Sequence, residues 1–283
     1  MMPPEAGQSA AARAAFARLH QSGCFVIPNP WDIGTAIMLK HLGFKALATT
    51  SSGLSFSRGL PDADWAVPRD MVLDHVAEIV GATDLPVNAD FESGYAHDPE
   101  GVAENCRLCA ATGVAGLSIE DNAGDPAAPI YPFDLAVERI RAAVAALQGT
   151  GVLLTARAEA HLLGVPDAQK EVVKRLAAFA EAGADVLYAP GLRTAEQIRE
   201  VVQAVAPKPV NLLISAPVGI TVADAAALGV RRISVGSALA RAAWGGFLKA
   251  ARAIAGEGRF DELADAEPFG ALNSFFRTHG VQR

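Results

Sequence analysis

Five acidic residues and one arginine carry most of the chemistry this sequence offers. Asp90 and Glu92 close the run PVNADFES, Glu120 and Asp121 close GLSIED, and Arg157 and Glu159 close GVLLTARAE. Each cluster ends a short apolar run, which places the charges at the ends of buried strands rather than on solvated helix faces. Carboxylates gathered from neighbouring strands repel one another unless a cation lies between them. Hard oxygen donors that leave room for water suit Mg²⁺ or Mn²⁺. The six histidines show no zinc-ligand spacing. The Arg157 fork matches a substrate carboxylate or phosphonate; the alternative is that Arg157 and Glu159 belong to a structural network with the barrel acids. The stretch TTSSG at 49–53 offers a glycine-enabled nest of backbone N–H groups for a carboxylate.

Such an array needs a scaffold that delivers strand ends to one rim. Apolar runs recur at 24–30, 46–52, 86–91, 116–121, 151–159, 186–191, 209–214 and 232–237, with segments of helical periodicity between them. Strand and helix alternating eight times is the pattern of an α/β protein of the parallel (β/α)8 TIM-barrel type, whose active sites lie where strands give way to βα-loops. The strand ends then also bring Asn29, Thr50 to Gly53, Asn211 and Ser237 to the rim, while the opposite ends carry almost nothing reactive. No linker or second-domain boundary is visible, so residues 1–283 read as one barrel domain, with 240–283 as a C-terminal helical extension. That extension exceeds what one closing helix needs and could pack on a neighbouring subunit. Residues 1–23 read as an amphipathic helix, neither leader peptide nor membrane span.

A net charge of −7 with no Lys/Arg cluster argues against nucleic acid and anionic membranes as partners, and three cysteines point to a reducing, cytoplasmic setting. Cys106 and Cys109 fall inside one helical segment and read as packing residues. The fourth βα-loop, NAGDPAAPIYPFD, is poor in charge and is expected to be a short, partly ordered lid. Proton transfer would then fall to a rim group, the candidates being Glu92, Asp121, His161 and Tyr188, the last if a cation lowered its pKa.

The segments TSSGLSFSRGLPD, VNADFESGY, LSIEDN and TARAEA, in this order on the second to fifth strands, resemble the isocitrate lyase/phosphoenolpyruvate mutase superfamily. The resemblance runs from NPWD to ISVGSAL and implies a barrel, often helix-swapped into homodimers or homotetramers, in which Mg²⁺ holds a 2-oxo acid while an enolate-like intermediate develops. By matching motif, Ser52, Gly53 and Leu54 would supply backbone donors to the substrate carboxylate. Asp62 corresponds to the acid after the second-strand loop, Asp90 to the main metal ligand, Glu120 to a water-mediated ligand and Arg157 to the substrate-binding arginine. Asn88 stands where the family's third-strand motif has an aspartate, a loss Glu92 could make good. The fourth loop carries neither the Lys-(Lys/Arg)-Cys-Gly segment of the lyases nor a gating lysine. The expectation is a Mg²⁺-dependent lyase or decarboxylase acting on a small 2-oxo or 2-hydroxy carboxylic acid, with Asp62, Glu92, Glu120 and Arg157 catalytic and Ser52, Gly53, Leu54, Arg157 and Asn211 binding substrate. Phosphonopyruvate-type P–C chemistry and silent binding of 2-oxo acids are the alternatives.

Overall fold

The computed structural model describes residues 6–63 and 65–281. The first five residues of the expected N-terminal helix, Asp64 and the last two residues of the C-terminal extension lie outside them.

Eight parallel strands form one sheet: β1 (Phe25–Ile27), β2 (Leu47–Ala48), β3 (Val87–Asp90), β4 (Gly116–Glu120), β7 (Leu153–Arg157), β8 (Val186–Tyr188), β9 (Val210–Leu213) and β10 (Arg232–Ser234). Their order is β1-β10-β9-β8-β7-β4-β3-β2, and the Ala48 N–H donates across the gap between the two ends to the Pro28 carbonyl at 3.0 Å. The sheet is thus a nearly closed barrel, as expected. Every expected apolar run contains its strand, but the strands are shorter than the runs. The run at 46–52 yields only two strand residues, because Thr50 caps α3 (Ser51–Ser57) by accepting from the Gly53 N–H at 3.3 Å.

The remaining helices alternate with the strands: α2 (Ile33–His41), α4 (Arg69–Ala82), α5 (Pro99–Ala111), α6 (Phe133–Leu147), α7 (Ala168–Glu181), α8 (Ala195–Val205) and α9 (Val222–Ala227). Their apolar stripes, exemplified by Val76 and Ile79 on α4 and Ile140 and Ala143 on α6, are buried against the outer face of the sheet. At the base, α1 (Ala6–Leu19) inserts the fully buried Phe16 among Ile27, Ala46, Ala48 and Ala115. The Arg13 guanidinium fastens α1 by donating to the carbonyls of Ala110, Val114 and Thr150.

One region departs from expectation, and the C-terminal extension is helical as expected. The fourth βα-loop, read from sequence as a short, partly ordered lid, is an ordered hairpin of β5 (Asn122–Asp125) and β6 (Ala128–Ile130). The C-terminal extension forms α10 (Ala238–Glu257), a 3₁₀ turn at Asp261–Asp265 and α11 (Phe269–His279), and α10 buries only Ala240 and Ala253. Among the described residues no helix is long and apolar enough to cross a membrane.

Candidate active site

Asp90, Glu120, Arg157 and Tyr188 are the last residues of β3, β4, β7 and β8. Register places Glu120 beside Arg157 and Arg157 beside Tyr188, so three chemically active side chains enter one rim from consecutive strands. Asp90, Arg157 and Tyr188 line a cavity of about 230 Å³. Its mouth is formed by Thr50, Ser51, Ser52, Asp62, Asp90 and Arg157, and its depth by Asn88, Ser118, Asn211, Arg232 and Ser234.

Arg157 organises the rim. Its Nη1 lies 3.0 Å from Glu120 Oε2 and 3.7 Å from Asp90 Oδ1, Nη2 donates to Glu159 Oε2 at 3.1 Å, and Nε donates to the other oxygen of Glu159. Its guanidinium stands 5.2 Å above the Tyr188 ring. Burial disfavours its charge, yet Glu120 and Glu159 hold its pKa well above the ordinary value. Asp90 also accepts from the Ser51 N–H at 3.1 Å, while its own N–H donates to Thr49 Oγ1 at 2.9 Å.

The acids outnumber this cation. Burial pushes the Glu120 carboxyl well up; Arg157 opposes the shift, and Glu159 and Asp90 add to it. Burial likewise raises Glu159. Asp62 is raised by burial and then by Asp90, against hydrogen bonds to Ser51 and Ser52. Glu92 is pushed up to about 7, chiefly by burial. Four carboxyl groups, Asp62, Asp90, Glu120 and Glu159, thus compete for one guanidinium, and protons or a metal cation relieve the imbalance. Among the described residues no three His, Cys, Asp or Glu side chains converge as a preformed metal cage. The all-oxygen donor set, with Asp90 and Asp62 on one water-accessible cavity, fits a hydrated Mg²⁺ or Mn²⁺, which commonly takes only one or two protein carboxylates.

The residues singled out from sequence separate into two groups. Ser52, Asp62, Asp90, Arg157 and Asn211 line the cavity. Glu120 reaches it through Arg157. Glu92 turns away: it has φ 46°, and its carboxylate accepts from Tyr95 Oη at 2.5 Å and from the Trp65 N–H at 3.3 Å, in a small void shared with Leu54 and His75. The Gly53 N–H caps onto Thr50 Oγ1 and the Leu54 N–H goes to the Thr50 carbonyl, so both are committed inside α3. Gly53 serves close approach, because a Cβ there would lie 2.5 Å from Thr50 Cγ2 and 3.0 Å from Trp31 Cβ.

The other proton-transfer candidates are engaged elsewhere. Asp121 is buried against Arg175 at 3.0 Å and accepts from the Glu159 N–H at 2.8 Å, and His161 Nε2 lies 2.8 Å from Gln169 Oε1. Burial raises the Tyr188 hydroxyl to about 12, against the opposing pull of Arg157. Sequence reasoning missed Arg232. Strict alternation in VRRISV, which turns Arg231 out and Arg232 in, was the signal available.

Residues 16–255 match the profile of the phosphoenolpyruvate phosphomutase family. An uncharacterised protein of Mycobacterium tuberculosis H37Rv is 30% identical over 92% of this chain and 95% of its own length. The oxaloacetate decarboxylase of Paraburkholderia xenovorans is 30% identical over 78% of this chain and 73% of its own. Among solved structures, a proposed lyase/mutase of Burkholderia cenocepacia superposes with a TM-score of 0.91 at 47% identity, covering 95% of this chain and 97% of that one. A 2,3-dimethylmalate lyase of the PEP mutase/isocitrate lyase superfamily gives 0.81 at 26% identity, over 97% and 95%. Matched across nearly its whole barrel, the chain belongs to the phosphoenolpyruvate phosphomutase family and is an enzyme of the PEP mutase/isocitrate lyase superfamily.

Proposed function

We propose that this enzyme is a divalent-metal-dependent lyase or decarboxylase that breaks the C–C bond next to the carbonyl or hydroxyl carbon of a small 2-oxo or 2-hydroxy carboxylic acid. The observation that carries the reading is the excess of rim carboxyl groups around Arg157, in a cavity sized for a metabolite. Asp90 would hold Mg²⁺ or Mn²⁺, with Asp62 and Glu120 reaching its waters. The bound ion would supply Lewis-acid stabilisation of the charge that develops on the substrate oxygen. Glu92, bonded to Tyr95 and to the Trp65 N–H, stays outside this cavity.

The chain's own groups have separable tasks. Arg157, with Ser52 and Asn211 on the same cavity, orients the substrate carboxylate. Glu120 and Glu159 hold the guanidinium plane fixed, so the charge that meets the enolate-like intermediate is already in place. Asp62, raised by burial and by Asp90, retains a proton more readily than an ordinary aspartate and faces the cavity. It is the group best suited to reprotonate the carbon left by cleavage.

The names of relatives favour C–C chemistry, since oxaloacetate decarboxylase and 2-methylisocitrate lyase both occur among them. The family match to a phosphomutase favours a second reading, P–C chemistry on phosphonopyruvate. Incubation of purified protein and Mg²⁺ with oxaloacetate, 2-methylisocitrate and phosphonopyruvate separates them. Pyruvate from either of the first two supports the lyase reading. Phosphate or phosphoenolpyruvate from the third, with no turnover of the others, replaces it.

We also infer a homodimer or homotetramer assembled through α10 and α11, whose exposed rings include Trp244, Phe247 and Phe269. The three free cysteines support a cytoplasmic setting.

A further inference from the structure

Barrels of this architecture ordinarily fill their interior with branched aliphatic side chains. Here the deep part of the cavity is polar, and at its floor lies a charge that nothing balances. Arg232 is 3% exposed. Its Nε donates to Asn211 Oδ1 at 2.7 Å, its Nη2 to Thr155 Oγ1 at 3.0 Å, and its Nη1 lies 3.4 Å from His20 Nε2. Every one of these partners is neutral. His20 Nδ1 sits 2.8 Å from the Phe16 carbonyl and donates to it, which leaves Nε2 as an acceptor. Burial, then Arg232 itself, holds the imidazole down at about 3. No carboxylate contacts Arg232 among the described residues.

An unpaired buried charge is costly, and a guanidinium does not readily escape that cost by losing its proton. Burial lowers Arg232 only to about 10, so it stays charged at neutral pH. A guanidinium has five N–H donors, of which three are directed at Asn211, Thr155 and His20, so two remain. Arg232 also lines the cavity that opens at Arg157, and a ligand entering there can reach it.

We propose that Arg232 is the base of a second anion-binding subsite inside the barrel, held in place by Asn211 and Thr155, that takes a small anionic group. The anion is either the distal carboxylate of a dicarboxylic substrate or a free inorganic ion; the first source rests on the function proposed above and the second does not. Spacing suits the first. Thr155, which Arg232 touches, lies two residues below Arg157 on β7, a rise of about 7 Å. A short diacid lying along the barrel axis would meet Arg157 with one end and Arg232 with the other.

Two measurements test the subsite. Crystals soaked in sodium bromide report by anomalous scattering whether an anion enters at all, with a bromide expected within hydrogen-bonding reach of Arg232. Calorimetry in Mg²⁺ compares 2-oxoglutarate and oxaloacetate with pyruvate, which has no distal carboxylate. Arg232→Met should weaken the diacids by about ten- to a hundredfold, the worth of a charge-assisted contact, while pyruvate changes by less than about twofold. Arg232→Lys, which keeps the charge and loses the fork, should fall between. Thermal melting confirms that the variants fold, and Arg232→Met should melt no lower than the parent, because an apolar side chain replaces an uncompensated charge. Bromide at Arg232 without a diacid-specific loss assigns the subsite to a free anion. Absence of bromide together with equal behaviour of diacid and monoacid overturns the proposal. Failure of the parent protein to bind any 2-oxo acid defeats the function proposed above and leaves the bromide result to decide the subsite.

Discussion

Arg157 sits at the centre of the rim, and its substitution does more than remove a substrate contact. A lysine keeps one charge but cannot bond Glu120 and both oxygens of Glu159 together, so two buried carboxyls lose partners. Arg157→Lys should therefore weaken pyruvate binding in Mg²⁺ by on the order of tenfold or more and also lower the melting temperature. Calorimetry and melting curves check both, and unchanged affinity would make Arg157 purely structural. Asp90 differs, because its nearest oxygen stands 3.7 Å from the guanidinium and its carboxylate otherwise accepts from the Ser51 N–H. Asp90→Ala should abolish Mg²⁺ binding in calorimetry and leave the circular dichroism unchanged; retained metal affinity would remove it as a ligand. These residues were legible in the sequence because each ends a strand, where side-chain direction follows alternation. Alternation also puts positions 88, 90 and 92 on one face, yet Glu92 escapes it. The strand stops at Asp90, and the turn that follows carries Glu92, Gly94 and Tyr95 at positive φ. That turn swings the Glu92 carboxylate away from the cavity, and no periodicity announces it.

Elements show the same division between pattern and turn. The Pro- and Ala-rich fourth loop gave no strand signal, yet it pairs as β5 and β6, because Asp125 Oδ1 accepts the Ala127 N–H at 2.9 Å and closes the turn. Tyr131, just after the hairpin, is not a lid residue. It is 5% exposed, its hydroxyl lies 2.7 Å from His97 Nδ1, and its ring is 4.0 Å below the Arg139 guanidinium. Tyr131→Ala should cost about 3 kcal/mol of unfolding free energy in urea, as burying an aromatic ring implies, whereas Asp125→Ala should cost less than about 1 kcal/mol. Equal losses would show that the hairpin is not anchored at its base. On α4, the imidazole of His75 is buried with Nε2 unpartnered, and burial, then Arg58, holds its pKa down at about 4. The unfolded chain titrates near 6.5, so the contribution of this neutral histidine is complete above that pH and is lost as the pH falls toward about 4. His75→Leu should remove up to about 3 kcal/mol of the stability the parent loses between about pH 7 and pH 4.5. Parallel pH profiles for the two proteins would refute that share.

At the scale of the molecule, eight apolar runs separated by helical periods made the barrel legible. Its polar interior was legible only in part: Asn88 and Asn211 stood out in their strands, whereas Ser118, between Leu117 and Ile119, and Arg232, beside a second arginine, did not. The C-terminal helices lie between these extremes: their existence was readable and their packing was not. Their surfaces carry the argument for assembly. Trp244 is 40% exposed, Phe247 59% and Phe269 84%, on helices whose own barrel covers little of them. Exposed rings grouped as Trp244 and Phe247 are on α10 mark an interaction face more often than an ordinary surface, and a helix that buries so little is marginal by itself. A second copy offers such a face a reciprocal partner through two-fold symmetry. The exposed aromatic edge of α10 also stands beside Phe56 and Leu60, just beyond the α3 turn that carries Ser51 and Ser52, so assembly and the cavity mouth share a neighbourhood. Light scattering should therefore give the parent protein at least twice the monomer mass. Trp244→Asp combined with Phe247→Asp should shift it to monomer with reduced helicity and weaker binding at the rim. An unchanged mass in that double variant would place the interface elsewhere and leave the exposed rings without a role.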